Sequence, residues 1–431
     1  MSPPLVGFAG MTHLGLVSAT AVAAKGLRTR CYDSDRGLIE RLRNGELPVH
    51  EPGLAALRHA NGDRQQFSSD IVDLHECDVV YIAPDVPTNE DATSDLSNVL
   101  ALTNDVASVL RFDAVMAVLA QVPPGFSRAI ARVPHDRLYY QVETLIFGRA
   151  VERAMNPERF IIGCADPQRT LDPGLNAVLS AFGCPILTMR YESAELAKIA
   201  INLCLAASIG VANTLSEICE RIGADWSEIM PALKLDRRIG QHAYLAPGLG
   251  IAGGNLERDL MTIIALSQRH GTDDEIVRAC VGNSRHRSKW AVRTLREAVL
   301  GRLPLAKVAV WGLAYKENTH SVKNSPALAT LVQLPDTRFV LHDPVVTASK
   351  LPNGFAVSAG DPLAILAEAD ALMILTAWPQ YRSVAPEDIA RKIRGPVVLD
   401  PYRVLDRNRA MAAGLEYHTL GVQAQPVPER A

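Results

Sequence analysis

Apolar residues in the first part of the chain alternate between short runs, typical of buried strands, and the wider spacing of helices. A run at 5–9 is followed by glycines, a helix-like stretch at 14–25 and a second strand-like run at 29–33. This order predicts a βαβ unit with parallel strands. Further strand patterns stand at 79–83, 114–119 and 159–163, with a helix pattern at 95–110. Roughly the first 180 residues are therefore predicted to form one doubly wound parallel sheet.

The pattern changes in the middle of the chain. Residues 192–222 are rich in alanine, leucine and isoleucine and contain no proline, which predicts one long helix that could kink at Gly210. Helical patterns continue at 256–269 and 273–299, and glycine and proline cluster in a loop at 247–254. The long helix is too apolar to stand alone in water, so we predict a homodimer formed through the central helices.

Strand patterns return after Leu305. They stand at 307–312, 339–343, 371–375 and 397–400. Such runs, separated by helical stretches, are typical of a second, smaller α/β sheet. We therefore predict an α/β fold with two Rossmann-like doubly wound sheets joined by a central helical domain. The predicted domains are 1–190, 191–300 and 301–431.

Composition narrows the class of protein. The 431 residues carry 44 basic and 47 acidic side chains, so no basic excess favours nucleic acid as a partner. No uninterrupted run of roughly 18 apolar residues occurs, so no membrane span is expected. The seven cysteines are scattered and never in CxxC spacing, which argues against a zinc site or a disulfide framework. Reduced thiols favour the cytoplasm, and no metal site is predicted.

A glycine-rich turn follows the first predicted strand. Gly10-Met11-Thr12-His13-Leu14-Gly15 has the GxGxxG frame of dinucleotide-binding sites, with Thr12 at the middle glycine. Thr12 adds a Cβ where the backbone approaches a diphosphate, so it either displaces the cofactor or lends it a hydroxyl. Asp33 ends the second strand, where a carboxylate binds ribose hydroxyls and favours NAD over NADP. The alternative is a glycine turn in a flavodoxin-like sheet.

Motifs along the whole chain resemble those of the UDP-glucose/GDP-mannose dehydrogenases. The matching segments are 44–54, 83–88, 94–97, 122–125, 194–202, 236–240, 250–254 with Asp259, 312–319, 325–327 and 343–344. The resemblance implies an NAD-dependent, two-step oxidation of the C6 alcohol of a nucleotide sugar. In that family a loop cysteine attacks the intermediate aldehyde, and the thiohemiacetal is oxidised to a thioester that water hydrolyses.

The resemblance also assigns residues to roles. It implies catalytic roles for Lys198, Asn202, Glu143 and Asp259, and it places Asn255 at the catalytic cysteine. Lys198 and Asn202 are four residues apart, so they share a helix face, where both could stabilise alkoxide charge. The cofactor residues implied are Gly10, Thr12, His13, Leu14, Gly15, Asp33, Arg36, Val86, Gln121 and Lys323. The substrate residues implied, besides Glu143, Lys198 and Asn202, are Leu145, Arg238, Tyr244, Gly250, Gly253, Lys316 and Arg403.

Several residues depart from the family pattern near the chemistry. The family's Gly-Gly-Ser-Cys-Phe loop has Asn255 at its cysteine, and an amide cannot act as the thiolate nucleophile because its nitrogen lone pair is delocalised. Val86 and Gln121 replace threonines, and Phe147 replaces an acid. Tyr402 replaces the arginine of the last motif, although Arg403 could reach into the site.

Three functions are consistent with these residues. The first is an altered enzyme that keeps hydride transfer but lacks covalent capture, and so either stops after two electrons or oxidises the sugar only transiently. The second is an ordinary four-electron 6-dehydrogenase that makes a uronate. The third is a non-catalytic homologue that binds NAD or a sugar nucleotide.

Overall fold

The computed structural model describes residues 2–89, 93–252, 255–351 and 355–424. The chain divides into two compact units, Met1–Ile201 and Asn202–Ala431. The three-domain division remains a prediction. Each unit contains one sheet, and the long helix predicted in the middle of the chain crosses from one unit to the other.

The first unit is built on an eight-stranded sheet. Its strands are β1 (Leu5–Ala9), β2 (Arg28–Tyr32), β3 (Gln65–Ser68), β4 (Val79–Ile82), β5 (Val115–Val118), β6 (Leu138–Gln141), β7 (Phe160–Cys164) and β8 (Ile186–Arg190). The strand order is β3-β2-β1-β4-β5-β6-β7-β8. The order reverses between β1 and β4, as in a doubly wound sheet, which confirms the predicted fold class. The carboxyl ends of β1 and β4 therefore flank the position where such sheets bind ligands.

One pairing in this sheet differs from the prediction. β6 and β7 run antiparallel, with Tyr140 opposite Gly163, whereas the remaining pairs are parallel. The pattern of apolar runs places strands but does not encode their direction, which depends on whether the connection crosses over the sheet. The helices of this unit are α1 (His13–Ala24), α2 (Arg36–Arg43), α3 (Leu54–Ala60), α4 (Ser97–Val109), α5 (Phe126–Ala129), α6 (Ala150–Met155) and α7 (Pro173–Ser180), followed by the start of α8 (Tyr191–Ile222).

The second unit contains a six-stranded parallel sheet. Its strands are β9 (Lys307–Trp311), β10 (Arg338–His342), β11 (Val357–Ser358), β12 (Ala371–Ile374), β13 (Val397–Leu399) and β14 (Glu416–His418), in the order β11-β10-β9-β12-β13-β14. Its helices are α9 (Trp226–Leu235), α10 (Asn255–His270), α11 (Glu275–Arg287), α12 (Trp290–Leu295), α13 (Pro326–Val332), α14 (Pro379–Arg382), α15 (Pro386–Lys392) and α16 (Arg407–Ala412). The smaller second sheet is thus confirmed, with the central strands β9 and β12 almost wholly buried.

The helix predicted at 273–299 is interrupted. The chain turns at residues 288–289 between α11 and α12. Arg287 is buried against Glu220 of α8, and Trp290 packs into the core around the second sheet. Ser288 and Lys289 keep right-handed helical backbone angles, so the interruption is local, and periodicity alone does not show it.

The long helix α8 is continuous over its 32 residues, including Gly210. By length and mean hydropathy, 1.6 in its most apolar window, it meets the criterion for a membrane-spanning helix, a criterion that core helices of soluble proteins also meet. Four of its exposed apolar residues, spaced by three or four positions, form one stripe: Val211, Leu215, Ile218 and Ile222. The absence of a membrane partner remains a prediction.

Candidate active site

The glycine turn after β1 leaves no room for side chains at its two glycines. Gly10 has φ +96°, and a Cβ on it would lie 2.8 Å from the backbone nitrogen of Pro84. A Cβ on Gly15 would lie 1.9 Å from the carbonyl oxygen of Gly10. These two glycines thus allow β1, α1 and the segment after β4 to approach backbone to backbone, the arrangement that a dinucleotide site requires.

The backbone N–H groups of this turn donate to the chain's own carboxylates. Asp85, after β4, accepts from the N–H of His13 at 3.0 Å and of Leu14 at 3.4 Å. Asp33 accepts from the N–H of Met11 at 2.7 Å. Thr12 Oγ1 accepts from the N–H of Asp85 at 2.7 Å. Sequence reasoning gave Asp85 no role, because a lone acid in a loop carries no periodic signal.

His13 is buried and contacts two side chains, the exposed Phe147 and the buried Glu51. Its ring stacks on Phe147 with the centroids 4.2 Å apart, and its Nε2 lies 3.0 Å from Glu51 Oε2. Glu51 also accepts from the N–H groups of Gly148 at 3.0 Å and Ala150 at 2.7 Å. Phe147, which replaces an acid of the family pattern, therefore contacts a predicted cofactor residue. Glu51 fixes the segment that follows Glu143, and sequence reasoning assigned it no role.

The other predicted cofactor residues lie at different places. Arg36 is exposed at the first position of α2, and Val86 and Gln121 are half-buried. Lys323 is exposed in the second unit. Three features fit NAD: the βαβ unit, the close-packed glycines and Asp33. One does not, because the N–H groups at the start of α1, which would hold the NAD diphosphate, already have Asp85 as their acceptor.

Lys198 and Glu143 form an ion pair. Lys198 Nζ lies 3.2 Å from Glu143 Oε2, and the two side chains are only 12% and 14% exposed. Glu143 also accepts from the N–H of Leu145, which is half-buried. The structure thus brings together the lysine, the acid and Leu145, three residues that the sequence analysis singled out separately. A cation and a carboxylate in contact can polarise a hydroxyl and accept its proton.

Glu195 anchors the same helix to the loop after β5. This fully buried carboxylate accepts from the N–H groups of Gly125 at 2.6 Å and Ser127 at 2.8 Å. Burial raises the pKa of Glu195 above its usual range. Glu195 lies three residues before Lys198, so the loop fixes the turn of α8 from which the lysine extends.

Within the second unit, Asn202 and Asp259 are in direct contact. The Asn202 side-chain amide donates to Asp259 Oδ2 at 2.5 Å, and Asp259 is 2% exposed. The buried Arg258 guanidinium lies 3.6 Å from the same carboxylate. Asn255 begins α10 and is exposed, one turn before Asp259. Gly253 lies outside the described residues.

The predicted substrate residues of the second unit have varied surroundings. Gly250 has φ +87°, and a Cβ there would lie 2.5 Å from the carbonyl of Ser284, so only glycine fits. Arg238 is 89% exposed and pairs with Asp236 at 2.6 Å. Tyr244 is exposed, and the ammonium of Lys316 lies 5.6 Å from the ring centroid of Tyr315.

Arg403 makes contacts that the sequence did not suggest. Its guanidinium donates to Asp225 at 2.9 Å and to the carbonyl of Leu420 at 3.3 Å. Its backbone has φ +51°, an uncommon conformation for a residue with a Cβ. These contacts hold the arginine against the start of α9, and they do not depend on a ligand.

The thiols lie mostly in the protein interior. Five of the seven cysteines are buried, Cys184 is half-buried and Cys204 is exposed. Burial raises the pKa of Cys31 and of Cys77 to about 12, so neither thiol forms a nucleophilic thiolate near neutral pH. Among the described residues, no group of three or more His, Cys, Asp or Glu is placed to hold a metal ion.

Comparison with known proteins places this geometry in a family. Models of the UDP-glucose/GDP-mannose dehydrogenase family match residues 5–180 (NAD binding domain), 192–284 (central domain) and 309–407 (UDP binding domain). A UDP-glucose 6-dehydrogenase of Pseudomonas aeruginosa is 30% identical over 96% of both chains. Another, from Bacillus subtilis, is 29% identical over 96% of this chain and 92% of its own.

A solved structure agrees with the sequence relatives. The UDP-glucose dehydrogenase of Pyrobaculum islandicum superposes with a TM-score of 0.86 at 29% identity, covering 97% of this chain and 98% of that one. The agreement extends over both sheets and the helical region between them. The chain therefore belongs to the UDP-glucose/GDP-mannose dehydrogenase family of NAD-dependent nucleotide-sugar oxidoreductases.

Proposed function

We propose that this protein oxidises a CH–OH group of a UDP- or GDP-sugar with NAD, without covalent catalysis by a thiol. The observation that carries the proposal is the Lys198–Glu143 ion pair at 3.2 Å, with 12% and 14% of the two side chains exposed, which is suited to hydride transfer from an alcohol. Asn255 stands where the resemblance places the family's nucleophile. The chain therefore has residues for the first oxidation but no thiol at position 255 for thioester chemistry.

Lys198, Glu143 and Asn202 have different roles in the first oxidation. Bound NAD supplies the hydride acceptor. The ammonium of Lys198 stabilises the negative charge that develops on the sugar oxygen, because it lies in a site with little water. Glu143, held by the N–H of Leu145, accepts the hydroxyl proton directly or through a water. Asn202 follows Lys198 by four residues on α8, and its amide donates to Asp259. Its role as a second donor to the sugar oxygen is what the resemblance to the family implies.

Without a thiol the aldehyde has three fates. It can leave as the product of a two-electron oxidation. It can be reduced again after a change at the neighbouring carbon, whose C–H bond the carbonyl acidifies. It can also add water, and the hydrate can lose a second hydride to a second NAD, which gives the carboxylate of an ordinary 6-dehydrogenase.

The stoichiometry of NADH decides among these reactions. We expect about one NADH per nucleotide sugar consumed when UDP- and GDP-sugars are incubated with NAD, with an aldehyde or ketone identified by mass spectrometry. Asn255→Cys is expected to move the ratio toward two, since a cysteine at a helix N-terminus has a lowered pKa. Asn255→Ala is the matched control and should leave the ratio unchanged. Two NADH per sugar in the unmodified protein would contradict the two-electron reaction.

A non-catalytic homologue is the second candidate function. Two features favour it. Asn255 cannot act as a nucleophile, and the carboxylate of Asp85 occupies the N–H groups at the start of α1 that would bind the NAD diphosphate. It requires binding of NAD or of a sugar nucleotide with no NADH formed and no change in the sugar. The Lys198–Glu143 pair favours the enzyme, because a binding protein has less use for a cation and a carboxylate in contact with only 12% and 14% of their side chains exposed.

We further propose a cytoplasmic homodimer, with the apolar stripe of α8 at its interface. The four stripe residues are between 40% and 69% exposed in one chain, which is unfavourable in water. We expect light scattering at micromolar concentration to give twice the chain mass of 46.7 kDa. Leu215→Lys with Ile218→Glu should give the monomer, whereas Leu305→Lys, at a more exposed position outside the stripe, should not. A monomeric unmodified protein would exclude the dimer.

A further inference from the structure

A carboxylate of the chain itself, that of Asp85, lies at the start of α1. The first free N–H groups of a helix attract one negative group, and in dinucleotide-binding folds that group is the cofactor diphosphate. Here the carboxylate of Asp85 accepts from the N–H groups of His13 and Leu14, at 3.0 and 3.4 Å. A diphosphate cannot use these donors while Asp85 does, and two negative groups so close would repel each other.

Thr12 holds Asp85 in this place. Its hydroxyl accepts from the N–H of Asp85 at 2.7 Å and lies 3.5 Å from the carbonyl oxygen of Ala83. The residue that replaces the middle glycine of the turn therefore contacts the segment that carries the competing carboxylate. Gly10 also keeps Asp85 close to α1, because the turn after β1 packs at Gly10 against the backbone of Pro84, in the segment after β4.

Asp85 is an exposed residue, although His13 and Leu14, whose N–H groups it contacts, are buried. The contacts described above join its carboxylate to backbone N–H groups alone, so rotation of the side chain into water would break them without moving a core side chain. Pro84 and Pro87 on either side restrict the backbone, which makes a side-chain rotation the simplest way to open the site. Opening exposes the two N–H groups that a diphosphate needs.

We propose that Asp85 is a specificity-determining residue of the cofactor site, an internal competitor that the diphosphate of NAD must displace from the start of α1. Asp85 weakens binding of every ligand whose diphosphate uses these N–H groups. It leaves binding of the adenosine part unaffected, since that part is neutral and its ribose is expected at Asp33, where the sequence predicts it, and not at the helix. The proposal rests on the NAD-binding domain and not on the fate of the sugar.

Calorimetry on the full chain without any sugar tests the proposal, with NAD, ADP and adenosine as ligands. We expect Asp85→Asn and Asp85→Gly to bind NAD and ADP at least about tenfold more tightly than the unmodified protein, and adenosine within about twofold of it. Asp85→Asn keeps the size of the side chain and removes only its charge, so it serves if Asp85→Gly does not fold. Asp105→Asn, an exposed acid on α4, is the control for a change of net charge.

Three results would overturn the proposal. One is an unchanged dissociation constant for NAD in Asp85→Asn. Another is an equal gain for adenosine, which would indicate general loosening of the site. The third is the same gain in Asp105→Asn, which would indicate a long-range charge effect. Failure of the proposed oxidation is read separately, from NADH formation, so the two outcomes remain distinguishable.

Discussion

Replacing Lys198 by methionine is expected to lower kcat for oxidation of the nucleotide sugar by about 100- to 1,000-fold. Methionine keeps most of the length and apolar stem of the side chain but removes the ammonium that lies 3.2 Å from Glu143. The alkoxide that forms as the hydride leaves then lacks its nearest positive charge. The free Glu143 carboxylate, 14% exposed, also loses its counterion. Steady-state kinetics at saturating NAD measures the effect.

The controls for Lys198→Met separate chemistry from folding and cofactor binding. The dissociation constant of NAD is expected to stay within about twofold, since Lys198 lies outside the glycine turn. Lys392→Met, at an exposed position of α15, should leave kcat unchanged. Lys198→Arg keeps the charge but not the compact ammonium, and an intermediate kcat is expected. An unchanged kcat in Lys198→Met would remove the lysine from the mechanism.

Replacing Asp259 by leucine is expected to destabilise the second unit by about 3–5 kcal/mol, the cost of breaking a buried charge pair. Asp259 is 2% exposed, accepts from Asn202 at 2.5 Å and lies 3.6 Å from Arg258, which is itself 2% exposed. Leucine removes the negative charge beside a buried guanidinium and leaves the Asn202 amide without this acceptor. The thermal midpoint is therefore expected to fall markedly, as measured by calorimetry.

A graded series tests this explanation. Asp259→Asn keeps an oxygen for Asn202 and should cost only about 1–3 kcal/mol. Asp336→Leu, at an exposed position of the same unit, should change stability by less than about 0.5 kcal/mol. If leucine at 259 proved as harmless as leucine at 336, the carboxylate would have no structural role, and its contact with Asn202 would serve catalysis alone.

Sequence patterns predicted the strands with continuous apolar runs and missed five others in the described part of the chain: β3, β6, β8, β11 and β14. The runs that became β1, β4, β9 and β12 are continuous and apolar because both faces of these strands are covered. β3 (Gln-Gln-Phe-Ser) and β14 lie at sheet edges and were missed because polar residues interrupt their apolar pattern, even though Gln65 and Ser68 are buried. β6 was missed although it is buried between β5 and β7. Neither the antiparallel β7 nor the break at 288–289 has a local signal.

The candidate active site could likewise be predicted only in part from the sequence. Lys198 and Asn202 could be predicted because helical spacing puts them on one face and a motif surrounds them. The resemblance also singled out Glu143 and Asp259, but their contacts with Lys198 and Asn202 could not be predicted, because they are 55 and 57 residues away along the chain. The ion pair of Arg403 with Asp225 is another contact that nothing near Arg403 in the sequence indicates. Asp85 reaches α1 across 72 residues, so only the fold shows what it does to the glycine turn.

The link between Glu195 and the loop after β5 has a consequence for how the protein can change over evolution. The loop contributes two backbone N–H groups to Glu195, and at position 127 any residue except proline can supply one. The other comes from Gly125, whose φ of +95° favours glycine. An insertion or deletion in the loop would displace these donors from Glu195, and with it the turn of α8 that carries Lys198. The loop can therefore change the residue at position 127 more readily than Gly125 or its own length.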